Sequence, residues 1–275
     1  MNQFVEIICI GNELLIGRTL NTNGQWLAKR ITVLGLTTNR ITVVADNVSQ
    51  IAHALQEAIQ RNPSFILTTG GLGPTFDDRT LEGLANALGC DIETNEEALK
   101  MVKEKYLNYK KEGRIEIANL TPHRVKMAKL PKDAKPLPNP VGTAPGVVIS
   151  RQNVTIIALP GVPLEMKSIF AESVAILLKQ AACNVTFFET SLESSGVMES
   201  EAAPLIEKVM RNNPHVYIKS HPKGTEKFPQ IEFHLSTTAK DSISARNSVS
   251  EVLIEITELI KAMGGKTKHI KTKDY

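Results

Sequence analysis

The run FVEIICI at residues 4–10 is apolar at all but one position. A strand that reads this way must be covered on both faces, which asks for helices above and below it. The residues that follow supply those helices. Between Asn21 and Leu34, Leu27, Ile31 and Leu34 fall on one helical face, and Gly35 stops the pattern. TTNRITVVA (37–45) reads as a second strand. From Val48, Ile51, Leu55 and Ile59 recur at helical spacing until Pro63, and SFILTT (64–69) is a third strand. Leu81, Leu84, Ala85 and Leu88 make another amphipathic face, closed by Gly89. Strands alternating with helices predict an α/β fold whose sheet is mostly parallel, with helices on both sides.

The middle of the chain is more polar. Residues 95–112 read as a solvated helix rich in lysine and glutamate. LPKDAKPLPNPVGTAPG (130–146) holds five prolines and is expected to be irregular. GVVIS and TIIAL follow as strands, then PGVPLEM and a helix with Met166, Ile169 and Phe170 inward. Near Asn184 a second unit begins in the order βαββα, with Ile231, Phe233 and Leu235 inward on one strand and a long apolar helical stripe from Val249 to Met263. The expected division is 1–178, 179–266 and a flexible tail at 267–275.

At 275 residues and a net charge of +3, the chain gives no argument for wholesale nucleic-acid binding. No apolar run reaches membrane-spanning length, and the N-terminus reads as a strand, not a signal peptide. The three widely spaced cysteines, Cys9, Cys90 and Cys183, fit a reducing cytoplasm and no disulfide frame. The six histidines show no metal-ligand spacing. His53 and His234 read as surface, Trp26 as packing, and Met198, Met210 and Met263 as core.

The chemistry concentrates in TTGGLGPTFDDRT (68–80). Gly70, Gly71 and Gly73 stand where a strand ends and a helix is about to begin, the edge at which parallel sheets bind ligands. Glycine lets the chain turn sharply and exposes bare N–H groups to an anion. The stretch is neither a Walker loop nor G-x-G-x-x-G. Asp77 and Asp78 beside such a loop need a structural task or a cation. They could cap the next helix, Thr75 and Asp78 standing at capping-box spacing, or one could hold Mg²⁺. Asp46, after the second strand, could cap the helix from Val48 or join Asp78 at a metal. Glu13, after the first strand, is a third acid candidate.

GNELLIGRTLNTN, TTGGLGPTFDDRT, NPVGTAPG and LPGVPLEM stand in the order and spacing of the CinA-like proteins, which this chain resembles. The resemblance implies a three-layer αβα sandwich like the molybdopterin-binding domain of MoaB, MogA and MoeA, followed by a KH-type domain. It also implies hydrolysis of ADP-ribose to AMP and ribose 5-phosphate, dependent on a divalent metal (Mg or Co) and assisted by K. In the molybdopterin relatives the same pocket takes a pterin. The family's motifs place Asp46 and Asp78 as metal ligands, with Glu13 beside them in catalysis. Binding falls to the glycine loop with Pro74 and Thr75, to Asn23, to Gly142, Thr143, Ala144 and Gly146, and to Pro160, Gly161, Pro163 and Glu165. Asn12 departs from the family, where an acid often stands. The deamidase domain of many bacterial relatives is expected to be absent.

The leading expectation is therefore a metal-dependent pyrophosphatase acting on ADP-ribose. The alternatives are a molybdopterin-binding protein of molybdenum-cofactor synthesis and a non-catalytic nucleotide- or RNA-binding module. RNNPH and KGTE offer no GXXG loop, which argues against RNA. The expected partners are a small nucleotide or pterin and a second copy in a homodimer, with no membrane.

Overall fold

The computed structural model describes residues 4–151, 153–182, 185–225 and 227–270. The first unit follows the predicted alternation. β1 (Phe4–Ile10) leads through α1 (Asn12–Leu15) and α2 (Thr22–Val33) to β2 (Thr37–Val44), then α3 (Val48–Gln60) and β3 (Phe65–Thr69). α4 (Thr80–Leu88), β4 (Ile92–Thr94), α5 (Glu96–Lys111), α6 (Pro122–Lys126), β5 (Lys129–Pro131) and β6 (Lys135–Leu137) follow. β7 (Gly146–Arg151) and β8 (Val154–Leu159) form a hairpin. α7 (Pro163–Ile169) then runs through a wider π-helical turn, Phe170–Val174, into α8 (Ala175–Ala181).

The sheet order is β2-β1-β3-β8-β7-β6. β2, β1, β3 and β8 are mutually parallel, while β7 runs antiparallel to both β8 and β6. β3 is buried at every position, as a strand covered on both faces should be. The predicted helical faces are the buried ones: Leu27 and Ile31 on α2, Ile51 and Leu55 on α3, Leu84 and Ala85 on α4. α4 ends at Gly89 in the left-handed region, φ 61°. α5 buries only Ala98 and Val102, as befits a solvated helix.

The proline-rich stretch is less irregular than its composition predicts, since β5 ends and β6 lies within it. β6 forms the end of the sheet order, and Pro136 sits there opposite Val147. An edge strand has one side with no ladder to serve, so a residue without an N–H is tolerated.

The chain separates into two compact units, the second formed by the chain from Ala182 onward together with Val33–Gly35. That unit comprises β9 (Thr186–Ser195), α9 (Glu199–Asn212), β10 (Tyr217–Pro222), β11 (Gln230–Ala239), α10 (Ser242–Ala262) and β12 (Lys266–Ile270). Its sheet is antiparallel in the order β10-β11-β9-β12. Ile231, Phe233 and Leu235 are buried as predicted, against Val249, Val252, Ile256 and Ile260 of α10. Two expectations change. Residues 266–270 are a paired strand and not a tail, and the order becomes βαββαβ. Residues 271–275 and Cys183 lie outside the described residues. Met198 is exposed at the start of α9, not core. Trp26 packs edge-on against Phe170 with ring centroids 5.2 Å apart. Among the described residues no helix is long and apolar enough to cross a membrane.

Candidate functional site

The four parallel strands end at one edge of the sheet. Ile10 pairs with Val44, Cys9 with Thr69, and Thr69 with Leu159. NPVGTAPG stands before β7, while the residues just beyond β1, β3 and β8 belong to the other three motifs singled out in the sequence and Asp46 lies just beyond β2. These segments enclose a cleft of about 380 Å³. Ligands of open α/β sheets bind outside such carboxyl ends.

Gly70 fixes how the β3 tip meets its neighbours. Its φ is +114°, and a Cβ there would lie 2.1 Å from the Ile10 carbonyl oxygen, so no side chain fits. Its N–H donates to the Leu159 carbonyl at 3.0 Å, and its carbonyl accepts the buried Thr80 hydroxyl at 2.7 Å. One residue thus ties β8, β3 and the start of α4 together. Beyond it the N–H groups of Gly71, Leu72 and Gly73 find no acceptor in the protein among the described residues, and all three residues line the cleft. Successive free amides at a strand tip favour an anion.

The acids do not cap helices. Asn47, not Asp46, caps α3, its side chain accepting from the N–H groups of Ser49 and Gln50 at 3.0 and 3.2 Å. Asp46 instead accepts the Asn12 N–H at 2.8 Å, while the Asn12 side chain accepts the Asp46 N–H at 3.4 Å. Position 12 therefore holds Asp46 chiefly through its main-chain N–H, the Asn12 side chain adding the longer bond. α4 starts after Arg79 without a side-chain cap. Thr75 and Asp78 do bond to each other, but inside the loop: Asp78 accepts the Thr75 N–H at 2.8 Å and its hydroxyl at 2.5 Å, and Asp77 also accepts the hydroxyl. Lys126 donates to the Thr75 carbonyl from α6.

Glu13, Asp46, Asp77 and Asp78 all line the cleft. Burial raises the Asp46 carboxyl above its ordinary range; the Asn12 N–H opposes this, and Glu13, Asp77 and Asp78 add to it. Asp77 is lowered, chiefly by the Thr75 hydroxyl, then by its own main-chain N–H and by Lys126. Among the described residues no group of three or more His, Cys, Asp or Glu is placed to hold a metal by itself. A cation between Asp46 and Asp78 would need oxygens from its ligand, the usual arrangement for Mg²⁺ with phosphate.

Across the cleft, Pro160, Gly161 and Glu165 follow β8, and Thr143 and Ala144 come from the loop before β7. Asn139 organises that loop. Its Oδ1 accepts the N–H groups of Val141 and Gly142 at 3.1 and 2.8 Å, and its Nδ2 donates to the Ala144 carbonyl and to Glu165 Oε2 at 2.8 and 2.7 Å. A Cβ on Gly142 would lie 1.9 Å from that same Oε2.

Several expected binding residues shape the wall from behind. Asn23 donates to the Thr69 hydroxyl at 3.0 Å and the Gly161 carbonyl at 2.7 Å, tying the β3 tip to the β8 tip. Gly146 begins β7, where a Cβ would lie 3.1 Å from Ile169, and Pro163 opens α7. Conversely, the binding assignments omitted Gly11, Leu72, Asp77 and Val162, which line the cleft, and Asn12, Asn139 and Lys126, which hold its walls. Asn139 could have been found, since Asn-Pro-x-Gly is a turn signal within a motif already noted. Lys126 carries no local signal, because its partner lies 51 residues away.

Residues 6–180 match the family described as "Probable molybdopterin binding domain". The chain belongs to that family. A Pyrobaculum arsenaticum protein is 45% identical over 263 residues, covering 95% of this chain and 96% of its relative. A Sulfolobus acidocaldarius protein is 41% identical over 270 residues, covering 98% and 99%. The crystal structure of CinA from Thermoplasma acidophilum, a protein of unknown function, shares 38% identity at a TM-score of 0.58, covering 66% of this chain and 99% of that one. The resemblance to CinA and to molybdopterin-binding domains therefore holds, as does the mostly parallel α/β fold. The expected ADP-ribose pyrophosphatase does not: the family matched is a molybdopterin-binding one, and the similar CinA structure is of a protein of unknown function. The hydrolytic roles expected of Asp46, Asp78 and Glu13 fall with it. The family match ends at residue 180 and leaves the second unit's expected KH-type character without support.

Proposed function

We propose that this chain binds molybdopterin, or a pterin close to it, in the strand-tip cleft and serves molybdenum-cofactor synthesis. The observation that carries this reading is positional: every residue lining the cleft, from Ile10 to Glu165, falls inside the stretch matching the molybdopterin-binding family. The chemistry agrees. Molybdopterin joins a flat pterin to a phosphate. The unbonded amides of Gly71, Leu72 and Gly73 suit the phosphate. Asp46 and Asp78 would hold a divalent cation there, which would relieve the repulsion among the acids. In this role the acids position a ligand; they do not cleave one.

The test is equilibrium dialysis of the purified protein against molybdopterin, with and without Mg²⁺. Saturable one-to-one binding near or below about 1 μM, tightened by Mg²⁺, is expected. Absence of saturation at about a hundred times that concentration would end the reading.

A further inference from the structure

The cleft's acids differ in what already occupies them. Asp46 accepts the Asn12 N–H, Asp77 and Asp78 are bonded to Thr75, and the Glu13 carboxylate, beside them after β1, accepts no hydrogen bond among the described residues. Glu165 stands apart, on α7 beyond β8, while Asp46 follows β2 at the far end of the parallel strands. Its Oε2 accepts one N–H, from Asn139 at 2.7 Å. Among the described residues, its Oε1 has no partner.

This carboxylate is held from behind. Asn139, which grips it, is locked by its own loop through Val141, Gly142 and Ala144. The loop's carbonyls are held in turn from α5: Lys105 donates to those of Asn139 and Pro140, and Tyr109 donates to that of Val141 at 3.1 Å. At Gly142 the carboxylate lies against bare backbone. Ala144 and Gly161, which share the cleft wall with it, project no more than a methyl group. A fixed, half-buried carboxylate accepts hydrogen bonds and donates none. Each of its oxygens has two lone pairs, so Oε2 can take a second N–H while Oε1 takes a first. It therefore matches a flat edge that offers two adjacent donors and repels one that offers a lone pair.

We propose that Glu165 selects the ligand's ring, pairing with the ring N–H and 2-amino group of a 2-amino-4-oxopyrimidine edge. Pterin and guanine both present that edge; the choice of pterin rests on the function proposed above. Asn139 is the positioning residue that sets the plane of the pair. Glu165 is then a determinant of specificity, separate from the amides and acids that take the phosphate and its cation.

The experiment measures binding of four probes to the full chain: 6-hydroxymethylpterin, its 2-oxo counterpart 6-hydroxymethyllumazine, GMP and XMP. Wild type is expected to prefer each 2-amino ring over its 2-oxo partner by about 10- to 100-fold, a half-buried hydrogen-bonding site discriminating less than a sealed one. In Glu165→Gln, folded by circular dichroism, both preferences should vanish or reverse toward the 2-oxo rings, because the amide NH2 meets a 2-oxo group and opposes a 2-amino group. Wild type binding amino and oxo rings equally, or binding none of the four, overturns the proposal without recourse to any variant. Preference retained in Glu165→Gln overturns it while leaving the pterin reading intact. Tighter binding of GMP than of the pterin supports the edge rule and counts against the pterin reading.

Discussion

Gly70→Ala offers the sharpest test of how the cleft is built. The substitution adds one methyl group, and two separate effects follow from its position. The first is conformational: φ at +114° is a region that L side chains rarely adopt. The second is steric: the new Cβ would lie 2.1 Å from the Ile10 carbonyl oxygen, a main-chain atom that cannot swing aside. Reaching a tolerable separation requires the β1 and β3 tips to part by about 1 Å, against a buried core in which strain is poorly absorbed. We expect a loss of about 3–5 kcal/mol, of which the backbone conformation accounts for roughly 1–3 kcal/mol. Gly89→Ala is the control. Its φ of +61° is also positive, but nothing lies within 4 Å of the added Cβ. It should cost only about 1 kcal/mol. Trp26, the single tryptophan, lies in the first unit, so its fluorescence during urea unfolding reports on that unit. Pterin binding measured in parallel should weaken for Gly70→Ala and stay near wild type for Gly89→Ala. Equal costs for the two variants, within about 0.5 kcal/mol, would refute the claim that the close approach of Ile10 and Gly70 sets the cleft.

Further outcomes follow from other sites. Glu6 is 1% exposed and accepts both Nε and a terminal nitrogen of Arg61 at 2.8 Å; Arg61→Leu should cost about 3 kcal/mol in urea unfolding, and Glu6→Met added to it should recover most of the loss. Asp46→Asn should raise stability slightly at pH 7, by well under about 1 kcal/mol given its exposure, while abolishing the effect of Mg²⁺ on ligand binding. The sign follows from the raised carboxyl: the folded state favours the protonated form, so the Asp46 charge destabilises above its folded pKa, and the gap between Asp46→Asn and wild type should close as pH falls through it. Wild type and Asp46→Asn tracking each other from pH 4 to 8 would contradict this. Tyr109→Phe removes only the bond to the Val141 carbonyl, and should cost about 0.5 kcal/mol of stability yet weaken pterin binding by about two- to fivefold, read by dialysis.

Much of the first unit was legible because a single requirement, coverage of both faces of β1 and β3, governs both its strands and its helices. The exceptions have physical causes. Asp46 and Asn47 are adjacent and chemically alike as caps; which one meets the helix depends on where β2 releases the chain, and hydrophobic period does not locate that point to one residue. The Thr75–Asp78 pair was found from spacing, but the helix begins only at Thr80, so the bonds it makes close a loop. β12 was missed because KTKHI is polar at four of five positions. It is a strand because β9 offers it an edge, a fact that resides in the partner and not in the segment. The glycines of the cleft were legible as a group, yet their reasons differ: Gly70 is required by Ile10, and Gly142 by the Glu165 carboxylate.

These particulars bear on why the cleft is proposed as a binding site and not as a mere gap between loops. A protein left to maximise stability would satisfy its polar groups. This cleft leaves three successive amides unbonded, keeps four acids near one another with Asp46 pushed above its range, and holds one oxygen of Glu165 open. Meanwhile the groups just behind it are bonded closely: Asn139 makes four hydrogen bonds, Thr75 bonds both aspartates, and Asn23 joins two strand tips. Satisfied supports behind unsatisfied faces are what preorganisation demands, since a support free to relax would turn inward and satisfy those faces itself. The unmet groups are also of three kinds in separate places: donors on the glycine loop, anionic acceptors beside it, and a single acceptor on α7. A ligand that answers all three would carry an anionic end, admit a cation next to it, and present hydrogen-bond donors at its other end. That is a demanding description, and the pterin phosphate proposed above is one ligand that meets it.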